Sequence, residues 1–496
     1  MTMVPLSRTL LALSAVLLSG CAVGPDYQRP DVAEPDSYKA TLAEPAGSGK
    51  LPRGWILASE AERVAGDPWW QNFDDPVLAE LLAAVAVDNQ QLAAAEARYR
   101  QALALIGSAR ADLLPGLDAS AGYSRSGVGK GDSSSGNEFV GNTTRRGGSQ
   151  YNLSLNVGWE LDLWGRIRRQ LESREADAMA TAAELAALRL SLQSTLAQSY
   201  FQLRVVDEQQ RLLDATLEAY ERSVELTNNQ YRAGIAARSD VLQALTQLET
   251  TRAEAVDLAR QRRQLENAIA VLTGKPPAAL QLEPRPFQFA LPETPVGLPS
   301  ELLLRRPDIL AAERAVASAN AQIGVARSAW FPTLTLSASG GYQNDRATNL
   351  LELPNRFWSI GPTLTLPLFD GGARRAESRR VEAAYDEQVA NYRQTVLNAF
   401  EEVENALMQL DVLSRSAEVR RRAVELAEEA ERLVTNQYRA GRVSFLEVIS
   451  AQATTLANRR SLLDLTADRL VASVQLITAL GGDWQTPTTV AARDKD

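Results

Sequence analysis

The chain has 496 residues, a formal net charge of −9, no histidine and a single cysteine. The acidic balance argues against a nucleic-acid partner, whose binders present a basic face. The missing histidine removes the commonest general base and metal ligand, and one cysteine allows neither an intrachain disulfide nor a thiolate cluster.

At the N-terminus, Arg8 precedes an apolar run from Leu10 to Leu18. That run is too short to span a bilayer and has the shape of a secretory signal, so residues 1–20 read as a signal peptide. Leu18-Ser19-Gly20-Cys21 resembles the bacterial lipoprotein cleavage box, which would make Cys21 the lipid-bearing first residue of the mature chain. An ordinary signal with an incidental cysteine is the bland alternative. Ala22 stands where enteric bacteria place the aspartate that retains lipoproteins in the inner membrane, so the same resemblance implies an outer-membrane destination. Past the signal no run of about 18 apolar residues occurs, which leaves a closed β-barrel as the way to cross a bilayer.

Residues 21–75 are proline-rich at first and weakly patterned, the composition of a stalk. Residues 76–274 then carry a first structural unit. An alanine-rich helix is predicted from Pro76 to Leu114, ended by Pro115. Leu117, Ala119, Ala121 and Tyr123 alternate with small and polar residues, and so, after a loop at 124–149, do Tyr151, Leu153, Leu155, Val157 and Trp159. A period of two sets apolar groups on one face, toward lipid, and polar groups on the other, toward a lumen. From Gly165 to Ala233 runs a helix of about 100 Å by its rise per residue. Its Leu185, Leu188, Leu192, Leu196, Tyr200 and Leu203 recur at coiled-coil spacings. Gly234 caps it, and a return helix is predicted from Ser239 to Thr273.

Residues 275–299 are a proline-rich connector, after which residues 300–482 repeat the cycle. A helix is expected from Ser300 to Trp330, then strands through Leu334, Leu336 and Ala338 and through Ile360, Leu364, Leu366 and Leu368. A long helix from Gly371-Gly372 to Ala440 and its return from Ser444 to Leu480 follow. Residues 483–496 form a polar tail. The duplication is literal at one place: Asn229-Gln230-Tyr231-Arg232-Ala233-Gly234 returns 207 residues on as Asn436-Gln437-Tyr438-Arg439-Ala440-Gly441. A second echo pairs Ile106-Gly107 with Ile323-Gly324. Such self-similarity marks a duplicated unit. Four short strands cannot close a barrel, and open edges are costly in lipid, so the strand count requires oligomerisation. Three copies give twelve strands and an open lumen; two give eight and a filled one.

At this point the chain resembles a known family, the TolC-like outer-membrane efflux proteins, and within it the NodT-like lipoprotein branch that serves RND-type pumps. The resemblance rests on Cys21-Ala22-Val23-Gly24-Pro25-Asp26-Tyr27, on Gly297-Leu298-Pro299-Ser300-Glu301-Leu302-Leu303 with Arg306-Pro307-Asp308-Ile309, on Trp159-Glu160-Leu161-Asp162-Leu163-Trp164-Gly165, and on Pro367-Leu368-Phe369-Asp370-Gly371-Gly372. It implies a mixed α and β membrane protein: a homotrimer whose twelve-stranded barrel, four strands per chain, is continuous with a periplasmic α-helical coiled-coil tunnel. It also implies outer-membrane lipid, a periplasmic adaptor protein and an inner-membrane RND-type transporter as partners, no cofactor beyond the lipid on Cys21, no metal, and no catalysis. A TolC-like duct for protein secretion or metal efflux is the near alternative, though Met179 and Met408 are the only methionines past the signal. A coiled-coil scaffold without a pore is the distant one.

In that family the tunnel closes at the helix turns, here centred on Gly234 and Gly441. Asp240 and Glu447 lie six residues beyond those glycines and match positions that ring the tip, where carboxylates from three chains favour cations. For Glu447 the alternative is a capping box with Ser444, whereas Asp240 faces Ala237 at the equivalent place. Tyr438 matches a tyrosine that locks the closed tip, yet Val443 stands where the family has an arginine, leaving Arg442 or Arg238 to substitute. Seam packing is the alternative for Tyr231 and Tyr438.

Overall fold

In a computed structural model of the chain, the described residues are 22–33, 35, 38–39, 55–57, 68–127, 148–287, 294–296 and 306–482. The expected signal peptide, Cys21, the motif at 297–303 and the tail at 483–496 lie outside them.

Three pairs of helices repeat residue for residue. Helices α2 (Gln90–Ala111) and α5 (Pro307–Ser328) have 22 residues each. Helices α3 (Arg166–Arg232) and α6 (Ala373–Arg439) have 67 each, and α4 (Arg238–Leu272) and α7 (Phe445–Ala479) have 35 each. The offset between copies is 217 up to the start of the strands and 207 from the start of the long helices, so the second copy is ten residues shorter across its two strands and the loops beside them. The repeat reaches individual ion pairs. Arg252 reaches Glu221 at 2.8 Å in the first hairpin, and Arg459 reaches Glu428 at 2.7 Å at the equivalent positions of the second.

The chain divides into two compact units that cut across the repeats. One draws on residues 1–30, 100–180 and 313–390; the other draws on 31–99, 181–312 and 391–496. The first holds an antiparallel four-stranded sheet in the order β2 (Gly116–Arg125), β3 (Ser149–Leu161), β5 (Thr333–Asn344), β6 (Arg356–Thr365). Its register aligns Leu117, Val157, Ala338 and Ile360 in one row and Asp118, Asn156, Ser339 and Ser359 in the next. β6 stops at Thr365, short of the expected Leu366 and Leu368; Pro367 has no N–H to give a ladder.

In the second unit the coiled-coil leucines do their expected work. Leu196, Tyr200 and Leu203 are fully buried, in one core with Phe73, Leu82, Ile269 and Val474. Trp69 packs edge-on against Phe73, with ring centroids 6.2 Å apart.

Three expectations about elements are corrected. The predicted helix from Pro76 to Leu114 is two helices, α1 (Pro76–Asp88) and α2. Asn89 breaks it: its carbonyl oxygen accepts from the Gln91 and Leu92 amides, and its amide donates to the Leu272 carbonyl at 2.8 Å. An Asn that caps a new helix outweighs an alanine-rich propensity. The helix expected from Ser300 starts, within the described residues, at Pro307, a first-turn position that needs no N–H. The stalk and the connector are not wholly irregular: β1 (Trp55–Leu57) pairs in parallel with β4 (Thr294–Val296) as a separate small sheet.

Candidate functional site: hairpin tips and sheet

Both tips reverse through the same backbone device. The Ile235 and Arg442 amides donate back to the Gln230 and Gln437 carbonyls at 2.8 and 2.9 Å, and the Gly234 and Gly441 amides to the Tyr231 and Tyr438 carbonyls at 2.9 Å. This six-to-one pairing needs a left-handed residue, and the glycines supply it with φ of +77° and +70°. A Cβ at either glycine would meet open space, so the requirement is conformational, not steric.

The return helices begin differently from the expectation. Ser444 makes no side-chain cap. The Glu447 amide donates to the Ser444 backbone carbonyl at 3.2 Å, as the Asp240 amide does to the Ala237 carbonyl at 3.1 Å. The reciprocal bond forms in the other hairpin, where the Asp240 carboxylate accepts the Ala237 amide at 3.3 Å. The carboxylate-to-backbone half of the capping box, the alternative reading for Glu447, is thus made by Asp240. Glu447 is exposed and Asp240 half-buried; both sit in a first turn, where the helix dipole favours a carboxylate. Arg238 and Arg442 are exposed.

Tyr438 joins the two hairpins. Its hydroxyl donates to Gln230 Oε1 at 2.6 Å, and its ring lies 5.3 Å from that of buried Phe445. Phe445, Val448 and Ala244 form a small core with Val224, Val434, Tyr438 and Ile449 packed on it. Tyr438 is thus both a seam residue and a polar cross-link, whereas Tyr231 is 42% exposed. The cross-link was beyond sequence reasoning, because nothing local pairs residue 438 with 230.

The sheet presents an exposed apolar face, including Leu117, Leu155, Trp358 and Ile360. Its other face carries hydroxyl ladders, Ser120 with Ser154 and Ser339 with Ser359, each at 2.8 Å. Both outer strands, β2 and β6, have one side unpaired within the sheet. Of the tryptophans near strand ends, Trp330 and Trp358 are exposed. Trp159 and Trp164 donate inward to the Leu113 and Pro332 carbonyls at 2.9 and 2.8 Å.

Residues 22–27 form a strap in the same unit. The Val23 amide donates to the Trp164 carbonyl at 2.9 Å, just beyond the end of β3. Buried Arg169 donates to the Asp26 carboxylate at 2.8 Å, Asn320 to the Pro25 carbonyl at 3.0 Å, and Tyr27 to Glu313 at 2.6 Å. Gly24 passes so close to Gly324 that a Cβ on Gly24 would stand 2.5 Å from the Gly324 Cα. The residue after Cys21 is thereby fixed near the base of the sheet.

A four-stranded sheet with an apolar outer face, joined to long paired helices by an internal repeat, is the fold of TolC-like outer-membrane channels. A family model described as outer membrane efflux protein matches residues 81–275 and 298–482, and the chain belongs to that family. It is 36% identical to the pyoverdine export outer membrane protein OpmQ of Pseudomonas aeruginosa over 90% of this chain and 95% of that one. It is 31% identical to the cation efflux system protein CusC of Escherichia coli over 95% and 97%. The solved structure of the outer-membrane channel OprN superposes with a TM-score of 0.82 at 33% identity, covering 93% of this chain and 99% of that one. The protein is an outer-membrane channel of an efflux system.

Proposed function

We propose that three copies close a twelve-stranded barrel, that acyl chains on Cys21 tether each copy, and that small solutes leave passively through tips gated by carboxylates. The carrying observation is the sheet itself: four strands, an exposed apolar face and two open edges. In lipid each unpaired backbone group costs several kcal/mol, and three copies remove every edge while leaving an open lumen. The resemblance of Leu18-Ser19-Gly20-Cys21 to a lipoprotein cleavage box and the strap at Val23 and Gly24 support lipid on Cys21, since a chain fixed beside the sheet keeps its acyl chains at the membrane; each buried methylene adds about 0.8 kcal/mol.

Asp240 and Glu447, three of each, would ring the tip and favour cations. A periplasmic adaptor and an inner-membrane RND-type transporter would supply cargo and energy, since nothing in a passive duct does. OpmQ and CusC are named for pyoverdine and for cations, which points to small solutes as the class of cargo. The test is single-channel current in planar bilayers, wild type beside Asp240→Ala/Glu447→Ala. A small cation-selective current that grows and loses selectivity in the double variant supports the gate. A pore indifferent to the substitutions keeps the duct and reduces both carboxylates to helix-start residues. No current from native trimers overturns the pore in favour of a scaffold.

A further inference from the structure

The apolar face of the four-stranded sheet is not uniform. Ala119, Leu155, Gly340 and Trp358 form one register row across it, and Ala121, Leu153, Tyr342 and Arg356 form the next row on the same face. With no side chain at Gly340, a groove of about 890 Å³ opens there, walled by Leu117, Leu155, Ala338 and Trp358. Trp358 is 74% exposed along it. Nothing local requires that glycine. Its φ is not positive, and a Cβ would make ordinary contacts, 3.7 Å from the Phe357 carbonyl oxygen and 3.8 Å from the Trp358 Cβ. At neighbouring Gly341, by contrast, a Cβ would collide with the Leu153 carbonyl oxygen.

Arg356 is the one charged residue on the groove wall. It opens β6 at the end of the sheet away from the helices, which join the strands near Gly116, Leu161, Thr333 and Thr365. Arg125 closes β2 at that same end and, by strand alternation, on the same face as Leu117. Both arginines are exposed, and neither forms an ion pair among the described residues. Tyr123 and Tyr151, with ring centroids 4.8 Å apart on this face, mark the end as headgroup level. A guanidinium facing lipid is unfavourable in hydrocarbon and tolerated at that level, where a phosphate gives it a bidentate partner. Because β2 and β6 are the edge strands, closing the barrel sets β6 of one copy against β2 of the next. Arg125 of the next copy then reaches the rim that Arg356 occupies. We propose that the groove and these two arginines hold one lipid A molecule of the outer leaflet. An acyl chain lies over Gly340 against Trp358, one phosphate meets Arg356, and the other meets Arg125 of the next copy. The far end of the strands lies in the outer leaflet, and two cations match a lipid with two phosphates, which a phospholipid is not. The inference rests on the trimer reading above, since Arg125 comes from another copy.

The test is native mass spectrometry of the full-length protein in detergent, titrated with lipid A, with its monophosphorylated form or with phosphatidylglycerol. The expected result is one lipid A per chain. Arg356→Gln, Arg125→Gln and removal of one phosphate each weaken binding roughly ten- to a hundredfold, as loss of a hydrogen bond between charged groups predicts. Arg356→Lys, which keeps the charge without the fork, recovers part of the affinity. Gly340→Leu fills the groove and also weakens binding. Should that variant fail to assemble, Arg356→Gln, a change at an exposed side chain, carries the test. Lipid A that binds every variant alike, on an assembly that weighs three chains, overturns the site and leaves the trimer standing. Phosphatidylglycerol that binds as tightly, and is lost with Arg356→Gln, overturns lipid A as the occupant. Binding that needs Arg356 and ignores Arg125→Gln overturns the two-arginine site. An assembly that weighs one chain overturns both the site and the trimer.

Discussion

The two helical hairpins have the same backbone and different chemistry. Helix lengths, tip turns and the Arg252–Glu221 and Arg459–Glu428 pairs repeat. Yet Tyr438 is cross-linked and packed where Tyr231 is exposed, Phe445 is buried where Arg238 is solvated, and Gly324 meets the strap where a Cβ on Gly107 would meet nothing. Duplication fixes geometry, because helix length and turn type depend on local sequence. What each copy touches depends on which neighbour the chain itself supplies. Tyr231 and Arg238 are exposed in the chain, where Tyr438 and Phe445 have neighbours that the chain itself supplies.

The largest expected effect tests that asymmetry. Phe445→Ala should lose about 3 kcal/mol of local stability by emptying a packed site, read as faster amide exchange in the first turn of α7. Arg238→Ala, at the equivalent place, should leave exchange within an isolated chain nearly unchanged. Equal losses would break the distinction between the two hairpins. Next, Gly234→Ala and Gly441→Ala should each cost about 1–2 kcal/mol, because both force a Cβ into the left-handed region; thermal unfolding should find the two alike, and a large inequality would mean the turns are not copies. Arg252→Ala and Arg459→Ala should each cost under about 1 kcal/mol, as exposed ion pairs do, and again by similar amounts.

The smallest effect concerns the starts of the long helices, where the copies differ by one position. α3 is capped by Asp162, which accepts the Ile167 and Arg168 amides, and α6 by Asp370, whose equivalent is Leu163. The Arg374 guanidinium, helped by the Gly372 and Arg374 amides, pulls the Asp370 carboxyl down to about 2. A depressed folded value contributes stability above the ordinary carboxylate range that is lost as pH falls toward that value. Asp370→Asn should therefore flatten the decline in thermal midpoint between about pH 4 and pH 2; an unchanged acid limb would contradict it.

Much of this was legible in residues 185–203, whose coiled-coil spacing became the core, and in the alternation at 151–159, which became β3. The repeated hexapeptide announced both tips. Other features lay beyond local pattern. Asn89 sits in an alanine-rich run with no proline, so its cap reads as helix interior until the chain breaks there. β1 and β4 are three residues each and far apart in sequence. The Ser444 motif has the letters of a capping box, yet Ser444 makes no side-chain cap. Gln230 and Tyr438 meet only because two long helices bring them together.

In the assembly proposed above, this chain is one third of a conduit. The native mass of the detergent-solubilised protein tests it directly: three chains are expected, enough for twelve strands with no open edge. A mass of one chain would leave the edges of β2 and β6 unpaired in lipid, and a mass of two would fill the lumen; either would contradict the account.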